Sequence, residues 1–403
     1  MESCLLAGLV NGRLRRMTVG PRFAEVPWAP GLRVRLDREG VLVEGSGEGT
    51  RFGPGEARIL GSIRTSCLAA TPGPFGVEVR LGPNLVGVSD GLVRAFHLAV
   101  LAAGSRDPVI LLGESGTGKE LLARAIHDLG GAGRPWVAVN LAAIPGELAE
   151  GELFGWIPGA FTGAVSRRAG AFEAASGGTL LLDEVAEASG AVQAKVLRCL
   201  EEGRVTRLGS NQGHPVETRV LAATNRDLSR AVSEGRLRLD LIQRLACLVI
   251  RVPPLRERPE DLPVLARHLC RGPVDPGLPD PEALDLLRRW PWPGNVRELR
   301  NVVRRAEWIC GPGALTARAL GDALAMGGGP IDFQPPPARG ERRRQILASG
   351  LPRSTWYYRR RRGTLGPGQD KEWPSWNGPA LAEPGPEGTW ETGAGTRTAV
   401  RRV

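Results

Sequence analysis

The chain has 403 residues, ordinary hydrophobic content and a net charge of +10, enough length for two to four domains with a sizeable core. No apolar run approaches the roughly 18 residues needed to span a bilayer, and the early basic residues follow the short N-terminal apolar patch instead of preceding it, the wrong order for a secretory signal; a cytoplasmic protein without membrane contact is expected. The six cysteines (4, 67, 199, 247, 270 and 310) form no Cys-x-x-Cys pair and do not group with the four histidines, which argues against a metal or disulfide framework and for reduced thiols.

Residues 1–75 carry short alternating runs broken by glycine and proline, among them Leu32-Arg33-Val34-Arg35-Leu36, Val41-Leu42-Val43 and Arg58-Ile59-Leu60. They predict a small antiparallel β domain. From 76 to 252 helix and strand patterns alternate, as in an α/β sheet. Residues 253–326 open on Pro253-Pro254 and show helical spacing over 260–270 and 281–290. A Gly/Pro linker follows at 327–338, then a basic block at 339–363, then a Gly/Pro/Thr-rich tail at 364–403 expected to be disordered.

Val109-Ile110-Leu111-Leu112 reads as a short apolar strand. Gly113-Glu114-Ser115-Gly116-Thr117-Gly118-Lys119-Glu120 comes next, then an apolar-faced helix with Leu121, Leu122, Ala125 and Ile126. Strand, glycine loop and helix in that order are what a phosphate-binding loop needs. The glycines let backbone N–H groups close around phosphate oxygens, and the helix N-terminus adds partial positive charge. Lys119 is one of only three lysines among 53 basic residues; its compact ammonium fits among phosphate oxygens where a planar guanidinium does not. Glu120 stands where a P-loop usually has Ser or Thr, so the metal is expected to be held by Thr117, water and a second acidic strand. That strand is Thr179-Leu180-Leu181-Leu182-Asp183-Glu184. Asp183 is the candidate Mg²⁺ ligand and Glu184 the candidate base for the attacking water. A third strand, Val220-Leu221-Ala222-Ala223-Thr224, ends in Asn225, a candidate to orient that water or sense the γ-phosphate of ATP.

Between these motifs lies Gly159-Ala160-Phe161-Thr162-Gly163-Ala164. Glycines at both ends permit a tight reversal, with Phe161 and Thr162 at its tip. A phenylalanine at the tip of a loop bounded by glycines adds little to a core, so contact with a partner is the better reading.

With these parts in order, the stretch from 86 to 325 resembles the AAA+ domain of the sigma-54-dependent activators, the bacterial enhancer-binding proteins. Further matches are Glu152-Leu153-Phe154-Gly155, Gln193-Ala194-Lys195, Pro253-Pro254-Leu255-Arg256-Glu257-Arg258 and Trp292-Pro293-Gly294-Asn295-Val296-Arg297-Glu298-Leu299. The resemblance implies an α/β fold: an AAA+ P-loop NTPase core with a helical lid, preceded here by a small β domain and followed by a short helix-turn-helix. It implies ATP and Mg²⁺ as cofactors and a homo-oligomer, a hexameric ring. It implies that Asn140 restrains the catalytic glutamate, that Glu173 lies near a subunit boundary, that Arg238 and Arg244 reach a neighbour's nucleotide, and that Arg297 senses nucleotide from the lid. The 159–164 loop is implied to rise when ATP binds and to engage sigma-54. The chain departs from the family at Trp156-Ile157-Pro158, where a histidine and charged residues are usual, at Leu237 and Leu239 beside Arg238, and at Leu141. The first of these alters the polar link below the loop.

The basic block holds nine arginines against the single acid Glu341, which points to an anionic polymer. Its helix, Gly350 turn and second helix capped by Ser354 resemble the Fis-type DNA-binding end of these activators. Ser354, Thr355, Trp356 and Tyr357 are expected in the major groove of enhancer DNA, with Arg353 and Arg359 among the phosphate contacts. Near the other end, Gly45-Ser46-Gly47-Glu48-Gly49-Thr50 with Pro54-Gly55-Glu56 and Ile59-Leu60-Gly61 resembles the end of a forkhead-associated domain, a phosphothreonine reader, which makes a phosphoprotein or kinase a candidate partner.

The reading is a transcriptional activator that hydrolyses ATP to remodel sigma-54 RNA polymerase and open promoters. The alternatives are a nucleotide-binding DNA-binding regulator that does not activate sigma-54, and an AAA+ remodeller of another protein.

Overall fold

Five short, mostly apolar runs form one parallel sheet in the order Trp136–Asn140, Thr179–Asp183, Arg219–Thr224, Val109–Leu112, Leu248–Arg251. The three inner strands are buried almost throughout, and the edge strand Trp136–Asn140 is half-exposed, as expected when helices cover both faces of a parallel sheet. The computed structural model describes residues 3–10, 13–19, 24–26, 33–37, 40–44, 50–52, 57–60, 63–73, 76–81, 84–161, 163–270, 279–311 and 315–326. The linker, the basic block with Arg353, Ser354, Thr355, Trp356, Tyr357 and Arg359, the tail, and Thr162 lie outside the described residues.

The first strand, Val109–Leu112, sits between the fourth and fifth. Connections therefore leave it in opposite directions, and the crevice at its C-terminal end is the place where such sheets bind ligands. One face of the sheet is covered by helices Asp90–Ala103 and Lys119–Gly131, the other by Gly146–Phe154, Gly190–Glu202 and Leu239–Leu245. Helix boundaries follow local chemistry. Ser89 accepts from Leu92 N–H at 3.4 Å and Ser189 from Val192 N–H at 3.3 Å. Gly203, at φ +63°, closes the helix Gly190–Glu202 with its N–H on Cys199 O.

The lid packs helices Leu262–Leu269, Pro281–Arg289, Asn295–Cys310 and Ala317–Met326 around the fully buried Trp292. The Trp292 indole N–H donates to Leu287 O at 2.8 Å, so its polar atom is satisfied in the core. Asp261, 0 % exposed, accepts from Val88 N–H, Ser89 N–H and Ser89 Oγ–H at 2.6 to 2.8 Å. It thereby joins the segment that enters the α/β unit to the start of the lid.

N-terminal to this lie two antiparallel sheets. In one, Ser3–Val10 pairs with Arg13–Val19 and Ile63–Gly73, and Ile63–Gly73 also pairs with Ala57–Leu60 and Gly76–Arg80. The other runs Ala24–Glu25, Arg33–Asp37, Gly40–Glu44, Thr50–Phe52. Pairing of Gly76–Arg80 with Ile63–Gly73, and of Val86–Gly87 with Gly76–Arg80, carries the N-terminal sheet beyond residue 75. The boundary read from the sequence there separates two strands that pair with each other, Gly73 standing opposite Gly76. Leu5, Ala7, Leu68 and Val79 share one apolar core with Val93 and Phe96 of helix Asp90–Ala103.

Among the described residues, no helix is long and apolar enough to cross a membrane. Cys199, Cys247, Cys270 and Cys310 are free thiols.

Candidate nucleotide site and loop

The P-loop leaves the central strand, with Gly113 N–H on Thr224 O at 3.2 Å. Gly116 and Gly118 have φ of +80° and +103°, conformations that disfavour any other residue. The first intrahelical bond of Lys119–Gly131 is Leu122 N–H to Gly118 O. The N–H groups of Lys119, Glu120 and Leu121 therefore have no acceptor inside the helix, and together with the helix dipole they favour an anion at this point. Thr117 is buried and its hydroxyl donates to Glu114 O at 2.8 Å.

Lys119, only 7 % exposed, donates through Nζ to Gly113 O at 2.8 Å and Glu114 O at 3.2 Å, and lies 3.8 Å from Glu184 Oε1. Burial pushes its ammonium below the ordinary lysine range; Glu184 and Asp183 act the other way, and Arg297 adds to the lowering. A phosphate chain entering here adds negative charge beside this buried cation, beyond that of Glu184 and Asp183. Asp183 ends its strand, accepting from Asn140 Nδ2 at 3.3 Å and from Glu184 N–H at 3.1 Å. Glu184 itself is in the left-handed region at φ +52°, and its Oε2 accepts from Asn225 N–H at 3.2 Å.

These groups line a cavity of about 520 Å³ that holds Ser115, Gly116, Gly118, Lys119, Glu120, Asn140, Asp183, Glu184, Asn225, Arg297 and Arg300. A larger cavity of about 840 Å³ opens on the other side of the loop, against Gly113, Glu114, Pro253 and Arg256; neither Lys119 nor the two acids line it. A narrow apolar slot between Leu85, Val86, Leu121 and Val296 borders Gly118.

The lid closes over the loop by specific contacts. Val296 N–H donates to Gly116 O at 3.0 Å and Arg297 Nη1 to Ser115 Oγ at 2.8 Å. Asn295 is fully buried at φ +51°. Its Nδ2 donates to Glu114 Oε2 and Ser115 O, both at 3.1 Å, and its Oδ1 accepts from Leu255 N–H at 2.7 Å. Arg256 grips Glu114 with two bonds at 2.6 and 2.7 Å. Arg258, 2 % exposed, reaches Thr117 O at 3.2 Å and pairs with Asp261 at 3.5 Å.

The sequence expectations meet this geometry unevenly. Gly116, Gly118, Lys119, Glu120, Asp183, Glu184, Asn225, Ser115 and Arg297 converge on one cavity. Glu114 turns its carboxylate to the lid and not into that cavity. Asn140 bonds Asp183 and not Glu184; the glutamate is held by Asn225 N–H instead. Arg238 and Arg244 do not line the cavity. Arg238 forks onto Asp240 at 2.7 and 3.1 Å, and Arg244 donates to Leu200 O at 2.9 Å. Glu173 pairs with Arg207, which is 6 % exposed. Arg300, which the motif reading did not single out, lines the cavity with Arg297; three residues apart on one helix, the two share a face.

The loop is a closed reversal. Gly159 N–H donates to Ala164 O at 2.9 Å and Ala164 N–H to Phe161 O at 3.0 Å. Gly159 and Gly163 have φ of +81° and +99°. Ala160 and Ala164 complete it, and Phe161 at its end is 45 % exposed.

Comparison with known proteins places this geometry. The profile of the Sigma-54 interaction domain matches residues 85–251, and that of the AAA+ ATPase lid domain matches 256–329. The DNA-binding transcriptional regulator NtrC of Azospirillum brasilense is 48 % identical over 242 residues, 59 % of this chain and 50 % of the relative. The anaerobic nitric oxide reductase transcription regulator NorR of Aeromonas salmonicida is 43 % identical over 270 residues, 62 % and 53 %. The chain thus spans about half the length of the curated relatives it matches. Among solved structures, NtrX from Brucella abortus in complex with ADP superposes with a TM-score of 0.53 at 30 % identity, covering 70 % of each chain. Its complex with ATP gives 0.52 at 31 %, covering 69 % of this chain and 61 % of that one.

Proposed function

This chain belongs to the family of sigma-54-dependent activators with an AAA+ ATPase core, and from that premise we propose that it hydrolyses ATP to remodel sigma-54 RNA polymerase and open promoters. The observation that carries this is the convergence of Lys119, Asp183, Glu184, Asn225 and Arg297 on one cavity, on the same α/β unit that presents Phe161 at the end of a closed loop.

In this reading the open N–H groups of Lys119, Glu120 and Leu121 bind phosphate oxygens and the Lys119 ammonium neutralises them. The adenine takes the apolar slot beside Leu85, Val86, Leu121 and Val296. Mg²⁺ fits Asp183, which uses two of its roughly four acceptor positions on Asn140 and Glu184 N–H; Thr117, expected from the sequence to help hold the metal, is buried with its hydroxyl on Glu114 O and does not line the cavity of Asp183. Bound there, the ion supplies charge neutralisation at the transferring phosphoryl group. Glu184 takes a proton from the attacking water, and Asn225 fixes the carboxylate so that it faces the cavity. Arg297 and Arg300 bring positive charge from the lid. Arg238 and Arg244 act on a neighbour's nucleotide in a ring, a hexamer as in the family.

Phe161 and Thr162, with Gly159, Ala160, Gly163 and Ala164, contact sigma-54. The basic block 339–363 binds enhancer DNA, the N-terminal β region takes a phosphoprotein or kinase input, and the protein works in the cytoplasm. Purified protein with sigma-54 holoenzyme and a supercoiled cognate promoter tests the reading. ATP-dependent open complexes, lost in Phe161→Ala, are expected. DNA binding without opening would favour a regulator that does not activate sigma-54.

A further inference from the structure

The stretch Trp156-Ile157-Pro158 stands where polar residues are usual, and the structure gives the tryptophan specific work. Strand Gly155–Trp156 pairs antiparallel with Arg168–Ala169, placing Trp156 opposite Arg168 at the base of the loop. The Arg168 guanidinium lies over the indole at 5.0 Å from its centre. Arg168 is held in turn by Glu152, with two bonds at 2.8 and 2.9 Å. The indole lies close against Gly151, where an added Cβ would sit 3.2 Å from its ring. Phe161 then meets the indole edge to face, with centroids 5.4 Å apart and planes at 69°. On the other side of the neck, Ile157 N–H donates to Leu208 O at 3.1 Å and Leu208 N–H to Gly155 O at 2.9 Å. The neck is thus anchored on two sides, while among the described residues the Phe161 ring, 45 % exposed, meets the rest of the fold through the Trp156 indole.

We infer that Trp156 is a positioning residue that latches Phe161 against the loop base, so that the tip must be released before it can engage sigma-54. The aromatic pair itself is uncharged, and the charge of the stacked guanidinium is met by Glu152. The latch opens when the Phe161 ring leaves the indole, a step that needs no proton transfer. Edge-to-face pairs of this kind bias a two-state equilibrium by about three- to ten-fold. The latch itself follows from the loop geometry; its effect on sigma-54 rests on the function proposed above.

Hydrogen exchange of the Gly159 and Ala164 amides, read by mass spectrometry on the full purified chain, tests the latch directly. Trp156→Ala should speed their exchange by about three- to ten-fold, and Trp156→Phe, which keeps an aromatic face, should restore most of the protection. Arg168→Gln gives a smaller acceleration and guards against a folding defect in Trp156→Ala. Exchange unchanged or slowed in Trp156→Ala and Arg168→Gln overturns the latch. A second arm titrates purified sigma-54 without nucleotide. Trp156→Ala should bind it about three- to ten-fold more tightly than wild type, with ATP turnover per chain unchanged, an outcome that a merely structural tryptophan would not give. Unchanged nucleotide-free binding, in a protein whose wild type binds sigma-54 with an ATP transition-state analogue, overturns the proposal. Faster exchange in a protein whose wild type never binds sigma-54 sinks the functional reading and leaves the latch standing.

Discussion

Asn225 holds Glu184 through its backbone: the Asn225 N–H donates to Glu184 Oε2 at 3.2 Å, while Lys119 Nζ stands 3.8 Å from the other oxygen. The carboxylate is thus aimed by one strand end and charge-balanced by the P-loop. Glu184→Gln keeps the shape and an acceptor for Asn225 but loses the base. Nucleotide affinity should stay near wild type while turnover falls by about 10²- to 10⁴-fold. Phosphate release against a fluorescent nucleotide titration measures both, and turnover at the wild-type rate would remove Glu184 from the role.

A close backbone approach joins the P-loop to the lid. A Cβ on Gly116 would lie 2.3 Å from Gly294 O, and Gly116 already sits at φ +80°. Gly116→Ala therefore meets both a left-handed backbone and a carbonyl that cannot retreat without unseating the helix Asn295–Cys310. Strain of this kind costs on the order of 1–3 kcal/mol. Denaturant unfolding should register that loss, with weaker nucleotide binding as the Val296–Gly116 and Arg297–Ser115 contacts shift. Unaltered stability would show that the lid does not bear on Gly116.

The parts legible in the sequence are those whose chemistry is local. Lys119 between glycines, Asp183-Glu184 after four strand residues, and Gly159 and Gly163 around Phe161 each announce a backbone shape and a charge at fixed spacing. The alternating runs at 32–36, 41–43 and 58–60 overlap strands Arg33–Asp37, Gly40–Glu44 and Ala57–Leu60 for the same reason. What was not legible depends on partners far along the chain. Nothing near Glu114 says that its carboxylate faces Asn295, 181 positions away, and not the phosphates. Asn140 finds Asp183 because their strands pair side by side with those two residues in register, a relation that no single segment carries. Trp156 looks like a lost polar residue until Arg168 and Phe161 are placed beside it.

The Glu114–Arg256 clamp carries a pH signature. Hydrogen bonding from Arg256 is the main cause that holds the Glu114 carboxyl below the ordinary value of 4.5; burial opposes it and Asn295 assists. A carboxyl with a lower pKa in the folded state stabilises the fold above its unfolded pKa, and that stabilisation is lost as pH falls through the folded value. The stability difference between wild type and Glu114→Gln should therefore be constant near neutrality and shrink as pH drops below about 4.5. Both groups are more than a third exposed, so the effect should also weaken in high salt. Parallel acid titrations of thermal midpoints check it; a difference that widens in acid would contradict the assigned partner.

Arg238 and Arg244 give the sharpest test of assembly, because neither reaches the cavity of its own chain. Arg238 is tied to Asp240 in an exposed pair that water and salt readily open, and Arg244 rests on the Leu200 carbonyl. A guanidinium that contributes to hydrolysis from such a position must do so on a neighbouring chain. Arg238→Ala should then slow turnover by about 10³-fold or more, the scale of an arginine finger supplied in trans. Glu184→Gln alone should also be slow, by the loss of about 10²- to 10⁴-fold argued above. Mixed, the two variants complement each other: an Arg238→Ala chain keeps Lys119, Asp183 and Glu184, and a Glu184→Gln chain offers it an intact Arg238. Turnover should reappear on mixing, grow with total protein concentration, and peak near equal proportions. Mixtures that never exceed the sum of the separate rates would place Arg238 outside the reaction.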